Sequence, residues 1–136
     1  MFDALPSFVR KMVETLSLEP TMLSVWLIGS QANASANPGS DWDLMVFAST
    51  DPVPGKVRQH GIDIIQVGPS GFYLLEGVTV EHLLPFADWE WQVIGGSEAS
   101  YSSWDDPGKN SSVIVAYDHP RIRKRLRAVK LWARQA

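Results

Sequence analysis

Two short apolar runs separated by a small, polar, glycine-containing gap constrain this chain more than any other feature. Residues 25–49 read VWLIGSQANASANPGSDWDLMVFAS. The first run ends at Gly29-Ser30 and the second begins at Asp41-Trp42-Asp43. Each run is short and rich in β-branched and aromatic residues, so each reads as a buried strand. The gap, with Pro38-Gly39, reads as a loop that opens with a turn of helix.

The elements around this pair follow from periodicity. Residues 6–17 place Phe8, Val9, Met12, Val13 and Leu16 at helical spacing, with Pro6 in the first turn and Pro20 closing the segment. TDPVPG is a turn, and KVRQHGIDIIQVG a third strand, bent at Gly61. So short a connection between the second and third strands favours an antiparallel pair, because a parallel crossover takes a dozen residues or more. Further on, GFYLLEGVTVEHLLPF holds a strand, a short helix or both. DWEWQVIGGSEASY gives a strand with Trp89, Trp91 and Val93 on one face, then a Gly-Gly turn. DDPGKN is a turn and SSVIVAY a strand. A closing helix over residues 119–135 puts Ile122, Leu126, Val129 and Trp132/Ala133 on one side with arginines around them. These elements add up to one α+β domain over residues 1–136, a small mixed or antiparallel sheet flanked by helices.

Composition removes several classes of function. The chain has no cysteine, so it has no disulfide framework, thiolate zinc site or cysteine nucleophile. Its N-terminus, with an early acid and no apolar core segment, is not expected to be a signal peptide. No apolar run approaches the roughly 20 residues that span a bilayer, so the expectation is a soluble, cytoplasmic protein without a membrane partner. The net charge of −3 hides a lopsided distribution: residues 121–136 carry seven of the twelve basic side chains and no acid. Such a tail meets phosphate, nucleic acid or an acidic partner, or else docks on the chain's own acidic body.

The candidate chemistry lies in the aspartates. Alternate side chains of a strand share a face, so Asp41 and Asp43 project together with Cα atoms roughly 6.5 Å apart. Carboxylates that close repel unless a cation sits between them, and a hard divalent ion such as Mg²⁺ meets that need with one or two carboxylates and phosphate oxygens. Asp63, inside the apolar strand IDIIQV, joins them if its strand lies beside the second. Three converging carboxylates make a two-metal site for in-line displacement at phosphorus. Gly29-Ser30 supplies backbone N–H groups, a hydroxyl and close backbone approach, which suits the β/γ-phosphates of a nucleoside triphosphate. Taken singly, Asp-x-Asp is a polar strand start, Gly-Ser a common turn and Asp63 a solvent-facing edge residue. Their order in the chain favours one site.

That order resembles the nucleotidyltransferase superfamily that includes DNA polymerase beta and the kanamycin nucleotidyltransferases, and within it the short stand-alone "minimal" type. The matching positions are Gly29, Ser30, Asp41, Asp43 and Asp63, within residues 21–67. The resemblance implies a nucleotidyltransferase fold and transfer of a nucleoside monophosphate from an NTP to a hydroxyl of a protein, small molecule or RNA end. It further implies Mg²⁺ (or Mn²⁺) held by Asp41, Asp43 and Asp63, with Asp63 or Asp43 as general base. The short chain leaves acceptor recognition to a second copy or another protein, such as the toxin of a toxin–antitoxin pair. Minimal members often read Gly-Ser-x-Ala-Arg-Gly, whereas GSQANA places Asn33 and Ala34 at the last two positions.

Other residues carry weaker signals. His60 reads as a loop histidine, and His82 and His119 lack metal-ligand spacing. Ser30 has no nucleophile elbow around it. Trp89, Trp91, Tyr101 and Trp104 form either a base-stacking platform or, more commonly for such clusters, core or oligomer interface. The competing functions are a catalytically silent nucleotide- or partner-binding module, such as an antitoxin acting by contact, and a structural oligomer subunit.

Overall fold

The computed structural model describes residues 2–52, 59–75, 83–105 and 122–135. A 3-10 turn (Phe2–Ala4) leads into helix α1 (Ser7–Ser17), followed by strand β1 (Met22–Ile28) and a single helical turn, α2 (Gly29–Ala32). Strands β2 (Trp42–Ala48), β3 (Ile62–Val67), β4 (Phe72–Leu75) and β5 (Leu84–Pro85) come next. A 3-10 turn (Phe86–Trp89) precedes β6 (Gln92–Val93), β7 (Glu98–Asp105) and β8 (Ile122–Ala133). All eight strands form one sheet in the order β5-β4-β3-β2-β1-β8-β7-β6.

This arrangement corrects the expected α+β domain and nucleotidyltransferase fold. The chain is mostly β: one eight-stranded sheet, with α1 the only α-helix among the described residues longer than a single turn. The largest revision is the closing segment, which is the twelve-residue strand β8 and not a helix. Its Arg, Lys, Leu and Ala content favours helix, but propensity is a weak prior that tertiary pairing overrides. Here β8 pairs antiparallel with β1 on one side and with β7 along its outer length on the other. Residues 122–129 of β8 pair with β7 and residues 129–133 with β1, overlapping at Val129, and a bulge at Leu131 keeps the pairing with β1 in step.

A second revision concerns β2 and β3, which pair in parallel. The third strand starts at Ile62, later than Lys56, so residues 49–61 provide the crossover length that a parallel pair requires. The expected strand at 89–93 also divides, with Trp89 ending a 3-10 turn and only Gln92–Val93 extended. Of the expected turn at 105–110, Asp105 ends β7; the rest of it, the expected strand at 111–117, His82 and His119 lie outside the described residues. The expectations for α1, β1 and the helical turn after Gly29 agree with the observed elements.

Both faces of the sheet are covered. On one, α1 lays Val9, Met12, Val13 and Leu16 over Val25, Leu27, Leu44, Val46, Ile62 and Ile64. The other face presents the alternate residues Trp26, Ile28, Met45, Ile65, Val67, Ala99, Tyr101 and Ala128. It is crossed by the segment Phe86–Trp91, which links edge strand β5 to edge strand β6. Phe86 packs edge-on against Phe47 (5.5 Å between ring centroids), and Trp91 edge-on against Trp26 (5.1 Å). Double cover explains why Val25–Ile28 are all buried, with no polar-facing alternation in the second half of β1.

Arg134 closes the far end of α1. Its guanidinium donates to the carbonyls of Ser17 (3.1 Å), Glu19 (2.8 Å) and Met22 (2.9 Å), satisfying acceptors left open where a helix stops.

Candidate active site

The parallel register of β2 and β3 puts Asp43 directly opposite Asp63. Both side chains belong to the aromatic face, with Met45 and Phe47 following Asp43, and Ile65 and Val67 following Asp63. Trp42 points the other way, against the core under α1. On the opposite side of Asp43, β1 ends: Ile28 is its register partner and Gly29 follows.

Gly29 is a glycine for two reasons. Its φ is +72°, a left-handed backbone that residues with a Cβ rarely adopt. A Cβ there would also fall on the Asp43 carboxylate, 3.2 Å from its Cγ. The carboxylate thus lies against the bare backbone of the turn. The Gly29 amide donates to the Tyr101 hydroxyl at 2.9 Å. Burial raises the Tyr101 pKa, with the Asp43 charge adding to it, so the phenol keeps its proton at neutral pH.

Asn33 fastens the turn to the sheet. Its amide nitrogen donates to the carbonyls of Gly29 (2.8 Å) and Arg127 (3.1 Å), while its oxygen accepts from the Arg127 N–H (2.9 Å). The side-chain amide therefore mimics a peptide group beside β8. The position where the resembled sequences often carry arginine here supplies a clip to the last strand.

Electrostatics mark Asp43 as the unusual group. Its pKa is pushed up to about 6, first by burial, then by the charge of Asp63 and a hydrogen bond with it, and last by the charge of Asp41. Asp43 thus holds a proton more tightly than an ordinary carboxylic acid does, and a cation beside the facing pair can take that proton's place. Asp41 stands apart. It precedes β2, is exposed, and lines a separate cleft of about 590 Å³ with Phe8, Gln31, Trp42 and His60. The three aspartates expected to converge are a facing pair and an outlying third. Among the described residues, no three Asp, Glu or His side chains lie close enough to hold a metal ion together. The donor set that remains fits a hard divalent cation held by two carboxylates with phosphate oxygens and water.

Tyr101 and Asn33 are the residues that sequence reasoning missed in these roles. Alternation along β7 places Ala99 and Tyr101 on one face and so carried part of the signal for Tyr101. Nothing local points from Asn33 to a strand 94 positions away. Of the tryptophans, Trp89 and Trp91 join the aromatic face, and Trp104's side chain lies outside the described residues.

The basic tail docks in part on its own chain. Arg127 pairs with Glu98 at 2.9 Å, and Lys130 lies over the Trp26 ring, 5.6 Å from its centroid. Arg125 donates to Ser100 Oγ (3.0 Å), Ser102 Oγ (2.8 Å) and the Glu90 carbonyl (3.0 Å). Among the described residues no helix is long and apolar enough to cross a membrane. No family model, curated protein or solved structure matches the chain.

Proposed function

We propose that this protein is a Mg²⁺-dependent nucleotidyltransferase that moves a nucleoside monophosphate from an NTP to an acceptor hydroxyl, in the manner of the superfamily its motif order resembles. The observation that carries the reading is the in-register facing of Asp43 and Asp63 beside the Gly29 turn. In the reaction the acceptor oxygen forms a bond to the α-phosphorus, the bond to the β-phosphate oxygen breaks, and pyrophosphate leaves. The hydroxyl proton passes to Asp63, which is the more exposed of the pair and free to exchange it with solvent. Asp43 and Asp63 are the residues that would hold Mg²⁺ or Mn²⁺, which supplies charge neutralisation on the phosphate oxygens. Ser30 lies in the turn beside Gly29, and in this reading its hydroxyl meets a phosphate oxygen. The acceptor is a hydroxyl of a protein, a small molecule or an RNA end. A partner toxin protein is the acceptor we favour, with the chain acting in the cytoplasm, alone or as a homo-oligomer.

One observation favours a second reading, a catalytically silent nucleotide- or partner-binding module: Asp41 stands outside the facing pair. The two separate in one experiment. Incubation with α-labelled NTPs, Mg²⁺ or Mn²⁺ and candidate acceptors gives labelled product and pyrophosphate if the chain is a transferase, and Asp63→Asn abolishes both. Binding of Mg-NTP without pyrophosphate release under any of these conditions establishes the silent module instead.

A further inference from the structure

A second cleft lies on the aromatic face, with Tyr101 between it and the Gly29 turn. It measures about 640 Å³ and is lined by Tyr73, Asp88, Trp89, Glu90, Tyr101 and Ser103, among others. Tyr101 belongs to both places. Its hydroxyl receives the Gly29 amide, and its ring lies 5.3 Å from that of Trp89, centroid to centroid. One tyrosine side chain is therefore all that separates the phosphate turn from the Trp89 ring. The span from phosphate to base in a nucleotide is enough to bridge that distance.

The lining is preorganised. Tyr73 meets Trp89 edge-on at 5.6 Å, and Phe86 stacks on Trp89 at 6.0 Å, so the indole is held from two sides. Beneath, Ser102 donates to Glu90 Oε1 (3.2 Å) while Arg125 grips Ser102 and the Glu90 carbonyl. Trp89 is half-buried, Asp88 beside it is exposed, and both line the cleft. Stacking accepts any base, since every base has a π-face, and is stronger for larger rings. A carboxylate is acceptor-only when ionised, so it selects a ring that carries an amino group and disfavours one that offers only carbonyls.

We infer that this cleft takes the base of the same triphosphate: an amino-bearing purine stacked on Trp89, its exocyclic N–H donated to Asp88. The inference rests on the proposed NTP reading and adds to it where the nucleoside lies and which base is chosen.

Calorimetric titration of the full chain with Mg²⁺ and, in turn, ATP, UTP and inorganic triphosphate tests it. ATP binds at least about tenfold tighter than inorganic triphosphate, in keeping with the worth of one base–aromatic stack, and tighter than UTP through its larger ring and amino group. Trp89→Leu removes the advantage of ATP over inorganic triphosphate and leaves inorganic triphosphate binding unchanged. Asp88→Asn, at an exposed position that should tolerate the change, lowers the ATP-to-UTP ratio to what stacking alone gives and decides the matter if Trp89→Leu does not fold. Equal binding of ATP and inorganic triphosphate by the wild type overturns the inference while leaving the transferase reading intact. So does an ATP-to-UTP ratio that Asp88→Asn leaves unchanged. If neither ATP nor inorganic triphosphate binds, the NTP reading itself fails and the inference with it.

Discussion

The two faces of the sheet are built from the same strands and do different work. Under α1 the contacts are almost wholly aliphatic and carry few polar atoms: Val9, Val13, Leu16, Val25, Leu27, Leu44 and Val46 are each no more than 2 % exposed. Across the other face the cover is a strap of rings, Phe86, Trp89 and Trp91, packed edge-on or tilted against Trp26, Phe47 and Tyr73. Branched aliphatics interdigitate and leave no room, whereas large planar rings with polar tips bury their bodies and leave openings between them. The carboxylate pair and the larger cleft therefore fall on the aromatic side. Alternation along β2 and β3 turns the two carboxylates to that side, because Asp43 and Asp63 sit one residue out of phase with Leu44 and Ile64.

The sharpest break in this comparison comes from Asp43→Asn. Transfer activity should fall by about a thousandfold, the scale of losing a positioned electrostatic group. Stability at neutral pH should move the opposite way. Because the folded-state pKa of Asp43 is raised from 3.8 to about 6, the folded protein binds this proton more tightly than the unfolded chain. The stabilisation is fully present below about pH 3.8 and is lost as pH rises toward 6. Asparagine removes that loss, giving roughly 1–2 kcal/mol at pH 7 after allowing for the partial exposure of the group. Denaturant melts of both proteins at pH 4 and pH 7 check the sign, and a wild type no less stable at pH 7 than at pH 4 would count against it.

On the aliphatic face, Leu16→Ala should cost about 2–5 kcal/mol through lost burial and a cavity, with no change in the pH dependence of stability. Tyr101→Phe belongs to the other face and should cost about 1–3 kcal/mol, since it leaves the Gly29 amide without its acceptor. The two variants can be matched in stability by denaturant, and only the tyrosine change should then also depress activity. Glu98→Gln weakens an exposed pair with Arg127 and should shift stability by less than about 1 kcal/mol, fading further in high salt. A larger effect would mean that the β7–β8 edge contributes more than its exposure indicates.

The legibility of these features in the sequence follows the range of the interactions that fix them. Helix α1 and strands β1 and β2 are set by local periodicity, and their residues could be read from spacing alone. Asp43 and Asp63 were legible as candidates, but their facing depends on a parallel register, and the length of the crossover was misjudged by where the third strand begins. Alternation sets a side chain's direction only inside a strand, and Asp41 precedes the first residue of β2. For β8 the sequence carries a helix-like pattern that pairing with β1 and β7 overrules. Asn33 is a departure from the resembled motif, and its partner Arg127 lies 94 positions away, beyond what any local pattern encodes.

That clip has a consequence for the order in which the molecule can be made. Strand β1 lies in the middle of the sheet, yet one of its two neighbours is β8, about a hundred residues downstream. While a ribosome is still producing β7, the β1 edge from Ser24 to Leu27 has no partner, and the Gly29 turn is not tied down through Asn33. Contacts this distant along the chain close slowly, because loop entropy must be overcome before they yield any stabilisation. The nascent protein therefore carries its acidic pair and its aromatic strap before the turn beside them is fastened, and that fastening waits for the strand that carries Arg127.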